Sequence, residues 1–225
     1  MAYAFVDNQH LTDIANSIRS KTGSQSTMKV SEMSSNIASI PTQDDTEFIK
    51  MVEGGATSIT LPNGATAIRD SAFNGYSTLQ NINVPNGITS IGEYAFSNCT
   101  NLVLTNLPNS ITSIGGSAFS SCTNLALTNL PSEVTSILNY TFYRCTNLVL
   151  TSLPSRITSI GSMAFHGCTG LTSITFEGTP NTIISDAFSG CTNLTTINVP
   201  WSEGDVANAP WGATNATVNY NYTGE

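Results

Sequence analysis

The sequence has little charge. Only 10% of its 225 residues are charged, with 15 Asp and Glu against 7 Lys and Arg and a net charge of −8. Such a balance repels phosphate backbones and anionic lipid surfaces, which argues against nucleic acid as a partner. Long apolar runs are missing as well. No stretch approaches the roughly 18 apolar residues that span a bilayer, and residues 1–10 have no basic flank ahead of an apolar run, so neither membrane insertion nor a signal peptide is expected. Histidine occurs only at His10 and His166. One falls in the N-terminal segment and the other far along the chain, so sequence neighbours assemble neither a Ser-His-Asp set nor a multi-histidine metal site. A phosphate-cradling Gly-x-x-x-x-Gly-Lys run is lacking, and the scattered carboxylates show no matched acid and base. The expectation is a protein that is not an enzyme and holds no cofactor or metal.

Close cysteine pairs are also absent, and here the spacing is informative. Cys99, Cys122, Cys145, Cys168 and Cys191 recur every 23 residues. A zinc site needs close pairs and a disulfide framework an even count, so this odd, periodic set reads as a ladder of buried thiols packing as small hydrophobes. Phe73, Phe96, Phe119, Phe142, Phe165 and Phe188 keep the same interval, and the next step falls on Trp211. Pro62, Pro85, Pro108, Pro131 and Pro154 follow it too; Glu177 breaks the row and Pro200 restores it.

A fixed period of this length marks a repeat architecture. Within one repeat, the run from Leu102 to Leu107 reads as a strand that Pro108 ends at a corner, because proline lacks an N–H. Ile111-Thr-Ser-Ile114 is a shorter extended piece, Gly115 permits the next bend, and Ala118-Phe119 is expected in a single helical turn. Ordering one such coil costs more backbone entropy than its six or seven apolar side chains return, so a lone coil cannot fold. Stacked coils bury both flanks and pair their strands in parallel, with right-handed crossovers. Seven coils then make a rod of roughly 30 Å, with the phenylalanines stacked along it.

The pattern Leu-x-x-Ile-x-Val-Pro, then Ile-Thr-Ser-Ile-Gly-x-x-Ala-Phe-x-x-Cys, resembles the BspA-like leucine-rich-repeat family from about Gly54 to Trp211. The resemblance implies a β-rich, right-handed leucine-rich-repeat solenoid of parallel strands and short helical turns. Departures exist. Leu102-Val-Leu-Thr-Asn-Leu-Pro108, with its counterparts at 125–131 and 148–154, shifts an apolar residue relative to Leu79-Gln-Asn-Ile82-Asn-Val84-Pro85, which leaves the inward set of that strand open. Tyr76 stands where later coils have Cys.

Three parts follow: a helical attachment module at 1–43, a capping helix at 44–53, and the solenoid with its C-terminal cap at 54–225. In the first part Leu11, Ile14, Ala15 and Ile18 fall at helical spacing, and Val30, Met33, Ile37 and Ile40 make a second stripe ended by Pro41. Two helices this short must pack on something else, so Leu11, Ile14, Ile18, Val30, Met33 and Ile37 are candidates for attachment or self-association into a homo-oligomer. The segment Asp13-Ile-Ala-Asn-Ser-Ile-Arg19-Ser-Lys-Thr-Gly23, with Met28-Lys-Val-Ser-Glu-Met33, is similar to a small helical module at the front of tail and baseplate-associated proteins of phages and prophages of Gram-positive bacteria. The ending from Val199-Pro-Trp201 to Ala209-Pro-Trp211 is similar to the close of repeat proteins from such tails.

That similarity implies a virion tail protein made in the bacterial cytoplasm, bound to tail or baseplate proteins through its helices and presenting the solenoid to a host-surface protein or glycan. An adhesin-like protein of the bacterial surface, or an intracellular scaffold, is the alternative. Positions that vary between coils single out Tyr94, Tyr140, Tyr143, Arg144, Met163 and His166 as ligand-binding candidates, since stacking sets Tyr140, Tyr143, Arg144, Met163 and His166 in two adjacent coils and Tyr and Arg favour binding hot spots. The same side chains also suit shielding the phenylalanines from water. The rows Thr89, Thr112, Thr135, Thr158 and Ser90, Ser113, Ser136, Ser159 are a second candidate surface that could contact sugars or ice, but hydroxyl ladders also satisfy backbone groups and add β propensity, and the rows read as structural. Both tryptophans read as caps.

Overall fold

The computed structural model describes residues 57–61 and 64–224. The expected attachment helices and the capping helix at 44–53 lie outside those residues. What is described is a stack of coils at the 23-residue period, held by two columns of parallel strands.

The first column joins β1 (Ser58–Thr60) to β3 (Asn81–Asn83), with Ile59 opposite Ile82. Further along the stack it joins β7 (Ser152–Leu153), β9 (Ser173–Phe176), β11 (Thr196–Asn198) and β12 (Thr217–Asn219). The second column joins β2 (Ala67–Ile68), β4 (Ser90–Ile91) and β5 (Ser113–Ile114), then β6 (Ser136–Ile137), β8 (Ser159–Ile160) and β10 (Thr182–Ile183). In every pair of the second column Ile faces Ile and a small residue faces a small residue, so the isoleucines run inward as an unbroken row.

The corner between the columns is a turn that proline opens. Ile88, Ile111, Val134 and Ile157 each donate an N–H to the carbonyl of the proline three residues earlier, at 3.1–3.2 Å. Proline serves because its carbonyl accepts while its missing N–H is not required.

The first strand differs from expectation in the middle of the stack. Leu102, Leu104 and Leu107 are all buried, as are Leu125, Leu127 and Leu130, whereas the earlier coil buries Leu79 and Ile82. The inward residue has therefore moved back one place, from the position of Ile82 to that of Asn81. A pleated strand alternates with period 2, so this shift breaks its regularity. Residues 102–108 and 125–131 form no strand and the third such run, 148–154, keeps only Ser152–Leu153, though Val103 still donates to Gln80 O at 2.8 Å and Ala126 to Leu104 O at 3.2 Å.

The expected helical turns are corrected. Among the described residues there is no helix, and the segment around each Phe is a run of hydrogen-bonded turns. Ala118, Ser120 and Cys122 donate N–H groups three residues back, while Ser117, Phe119 and Ser121 donate to Asn139, Thr141 and Tyr143 of the next coil. With alternate amides committed to a neighbour, no i to i−4 ladder can propagate. Left-handed residues two before and two after the Phe, Ser117 at φ 55° and Ser121 at φ 60°, end the turn on both sides.

Inside, the phenylalanine rings stack from Phe73 to Phe188 with centroids 5.0–5.7 Å apart and planes within 13°. This offset arrangement is one that aromatic quadrupoles favour. Each of the five cysteines is a free, buried thiol whose S–H donates at 2.9–3.0 Å to the carbonyl of the Phe 26 residues earlier. Burial pushes every one of these thiols up, to about 12 for Cys99 and Cys191 from the ordinary 9.0. At the C-terminal end Trp201 and Trp211 are buried and meet each other and Phe176 at 5.2–6.2 Å, closing the core.

Candidate binding surface

The turns around the phenylalanine column set the surface that varies from coil to coil. Two residues before the Phe, the backbone is left-handed at Tyr94 (φ 54°), Ser117 (55°), Tyr140 (59°) and Met163 (50°). Two residues after it the same holds at Asn98, Ser121, Arg144 and Gly167. A bulky side chain is uncommon in that conformation, which Gly and Asn take at less cost. Tyrosine twice and arginine once are therefore notable choices there.

Tyr140, Tyr143, Arg144 and His166 are brought together. Tyr143 lies flat against His166, centroids 5.1 Å apart, and meets Tyr140 edge-on at 5.7 Å. The Arg144 guanidinium sits 5.1 Å from the Tyr143 ring centre, a cation–π contact. Arg144 and Tyr140 are exposed, while Tyr143 and His166 are half-buried, so the cluster both covers the phenylalanine column and faces solvent. Among the described residues, the buried His166 Nδ1 has no hydrogen-bond partner. Met163 occupies the coil position equivalent to Tyr140, half-buried, with its N–H held by Asp186 Oδ1 at 3.1 Å. Tyr94 lies two coils away and is not part of the cluster.

Tyr94 instead shares with Tyr140 a groove of about 900 Å³ that crosses the second strand column. Its floor is the row Ser90, Ser113, Ser136 and Ser159 beside Gly92, Gly115 and Gly161. The glycines are there because the coils approach closely: a Cβ on Gly92 would lie 2.4 Å from Asp70 N, and one on Gly115 2.5 Å from Glu93 N. The same absence of side chains leaves the groove open. Leu138 takes the glycine position in one coil, 44% exposed, and there the ladder parts: β5 and β6 form no bridge. Ile184 takes it in a later coil with the ladder intact, Ile184 N to Ile160 O at 3.0 Å.

The two hydroxyl rows differ. Thr89, Thr112 and Thr158 donate their hydroxyls to Thr66, Thr89 and Thr135 carbonyls of the preceding coil at 3.0–3.2 Å. Those groups are spent on the backbone. The serine hydroxyls of the groove have no partner among the described residues. By column Ser and Thr fall in one class; the distinction depends on which side of the strand each faces.

Six copies of a BspA type leucine-rich-repeat model match the chain, over residues 53–149 and 135–208. The chain is similar to a leucine-rich-repeat protein of T. pallidum, 29% identical, covering 64% of this chain and 72% of that one, with a TM-score of 0.57. It is also similar to a leucine-rich cell surface protein from Faecalibacterium prausnitzii A2-165, 23% identical over 78% of this chain and 62% of that one, TM-score 0.38. The pneumococcal vaccine antigen PcpA is 20% identical over 73% of this chain and 42% of that one, TM-score 0.43. The chain thus spans less than two thirds of the length of those last two. No curated protein matches it. With the family pattern covering most of its length, the chain belongs to the BspA-type leucine-rich-repeat family, an architecture suited to protein–protein binding.

Proposed function

We propose that the chain is a non-enzymatic, tail-associated binding protein of a phage or prophage, located in the virion tail. In this reading the helical segment at 1–43 attaches to tail or baseplate proteins, and the solenoid engages a macromolecule of the host surface. The attachment half is supported by the similarity of residues 13–33 to tail-protein modules. The binding half is supported by one observation above the rest, the Tyr140–Tyr143–Arg144–His166 cluster. A solenoid needs little more than Phe and Cys at these turns to fold, and most of the outer places around the phenylalanines are Ser, Gly or Asn. One continuous aromatic and cationic cluster on a neutral, hydroxyl-rich surface has the composition of a binding hot spot. Arg144 is one of only three basic residues beyond residue 56, with Arg69 and Arg156, and Arg156 is engaged with Glu133 at 3.6 Å. Catalysis has no comparable support: His166 is the one histidine beyond residue 56.

The test is adsorption of purified full chain to susceptible cells, alongside an Arg144→Asn, Tyr143→Ser double variant. Asparagine keeps the left-handed backbone at 144 without the cation. Binding by the wild type, reduced at least tenfold in the variant at unchanged thermal stability, is expected. Equal adsorption of both, or none by either, combined with a gene lying away from tail genes, would end the proposal.

A further inference from the structure

We propose that the groove across the serine row binds an unbranched, uncharged β-1,4-linked glycan lying along the solenoid axis, with Tyr94 and Tyr140 stacked on sugar faces. This site shares Tyr140 with the cation-bearing cluster but needs neither the tail assignment nor Arg144.

Four observations converge. The floor offers hydroxyls of Ser90, Ser113, Ser136 and Ser159 that no described residue engages, in contrast to the threonine row, whose hydroxyls are spent on the backbone. Ladders of free donors that also accept suit a ligand rich in hydroxyls. The spacing is the second. Parallel strands sit about 4.8 Å apart within each ladder, and where β5 and β6 form no bridge the Phe119 and Phe142 rings of the same coils are 5.7 Å apart, so the hydroxyls repeat once per coil at close to that interval, whereas an extended peptide rises about 3.3 Å per residue and falls out of step within a few residues. A pyranose polymer advances by close to one coil per ring.

The tyrosines supply the third. Tyr94 and Tyr140 are 44% and 40% exposed, and the coil between them carries Gly116-Ser117, which leaves a notch. They therefore recur at every second coil, across which the Phe96, Phe119 and Phe142 rings step by 5.3 and 5.7 Å. A β-1,4 linkage turns each ring over relative to the last, so the same face returns at every second ring. Both residues hold left-handed backbone that Asn or Gly would take more easily, and no described residue accepts from either phenol. Charge is the fourth. The groove's only charged side chains are Asp70 and Glu93, with no cation to neutralise a uronate, sulfate or phosphate.

The experiment titrates the full chain calorimetrically with chitohexaose and with cellohexaose, a ring for each of the six coils along the groove, and with α-linked maltohexaose. Tyr94→Asn and Tyr140→Asn remove one ring each and keep the backbone comfortable. Gly116→Gln fills the notch; its backbone is not left-handed and an added Cβ meets nothing closer than 3.4 Å. At least one β-1,4 hexamer should bind tenfold or more tightly than maltohexaose, and each variant should weaken it at least tenfold with its melting temperature unchanged. Failure of both β-1,4 hexamers, equal binding of maltohexaose, or full binding by Tyr94→Asn and Gly116→Gln overturns the proposal. Host adsorption by the Arg144→Asn, Tyr143→Ser variant reads the other reading separately.

Discussion

The thiol ladder makes the solenoid unstable in alkali, and the size of the effect can be worked out. Cys99, Cys122, Cys145, Cys168 and Cys191 are buried, and desolvation raises each above the ordinary thiol value of 9.0, to about 12 at the two ends. A raised folded-state value stabilises the protonated form, so the contribution is whole below pH 9 and is lost as pH climbs toward the folded value. Between those limits the unfolded chain sheds protons the folded one keeps. Each thiol then costs about 1.4 kcal/mol per pH unit, and five in parallel about 7 kcal/mol. A domain stable by roughly 5–15 kcal/mol is exhausted between about pH 10 and 11, before the folded thiols ionise. The assay is urea unfolding followed by circular dichroism under reductant, at half-unit steps from pH 8. Cys145→Ser retains a donor for the Phe119 carbonyl but does not titrate, so the fall in stability with pH should be shallower by about one fifth. The reasoning is refuted if that variant loses stability as steeply as the wild type, or if stability is flat from pH 8 to 10.5.

Three other outcomes follow from the packing. Phe119→Ala removes a buried ring stacked on both neighbours and should cost about 3–5 kcal/mol in chemical unfolding. Gly115→Ala places a Cβ 2.5 Å from Glu93 N, forcing β4 and β5 apart at about 1–3 kcal/mol, whereas Gly116→Ala, one residue on, should change stability by no more than about 0.5 kcal/mol. Thr112→Val deletes a hydroxyl that bonds the Thr89 carbonyl; a loss of about 1 kcal/mol measured by thermal unfolding would confirm its structural use, and a neutral result would return that row to the surface available for ligands.

Most of the fold is legible in the sequence because a solenoid repeats its constraints. Phe73 to Phe188 at one interval can form only a column, and the isoleucine pairs of the second strand column follow from the same spacing. The turn at Ala118-Phe119 looks helical in the sequence because Ala and Phe next to Gly give no local sign that the amides of Ser117, Phe119 and Ser121 bond forward to the next coil. That commitment is tertiary, and propensity does not see it. Likewise the Leu102, Leu104, Leu107 pattern announces that something changes without saying that the strand is lost.

The surface is legible only where it violates the repeat. Tyr140, Tyr143, Arg144 and His166 are legible as neighbours because stacking sets equivalent positions side by side, and they stand out from the Ser, Gly and Asn of most other outer places. The groove was not recoverable in that way, because its floor is made of the regular positions. Serine and glycine recur there for the sake of the ladder, and nothing in their period separates a hydroxyl turned toward backbone from one turned outward. Two signals were nonetheless present. Leu138 and Ile184 stand in a glycine column yet are 44% and 40% exposed, so neither is explained by the core. Tyr94 and Tyr140 occupy a left-handed position that Ser117 fills at less cost. Residues that raise the cost of folding at a position where the repeat itself supplies a cheaper alternative are the ones to which a binding role should be assigned first, and Tyr94, Tyr140, Leu138 and Ile184 among them border one groove.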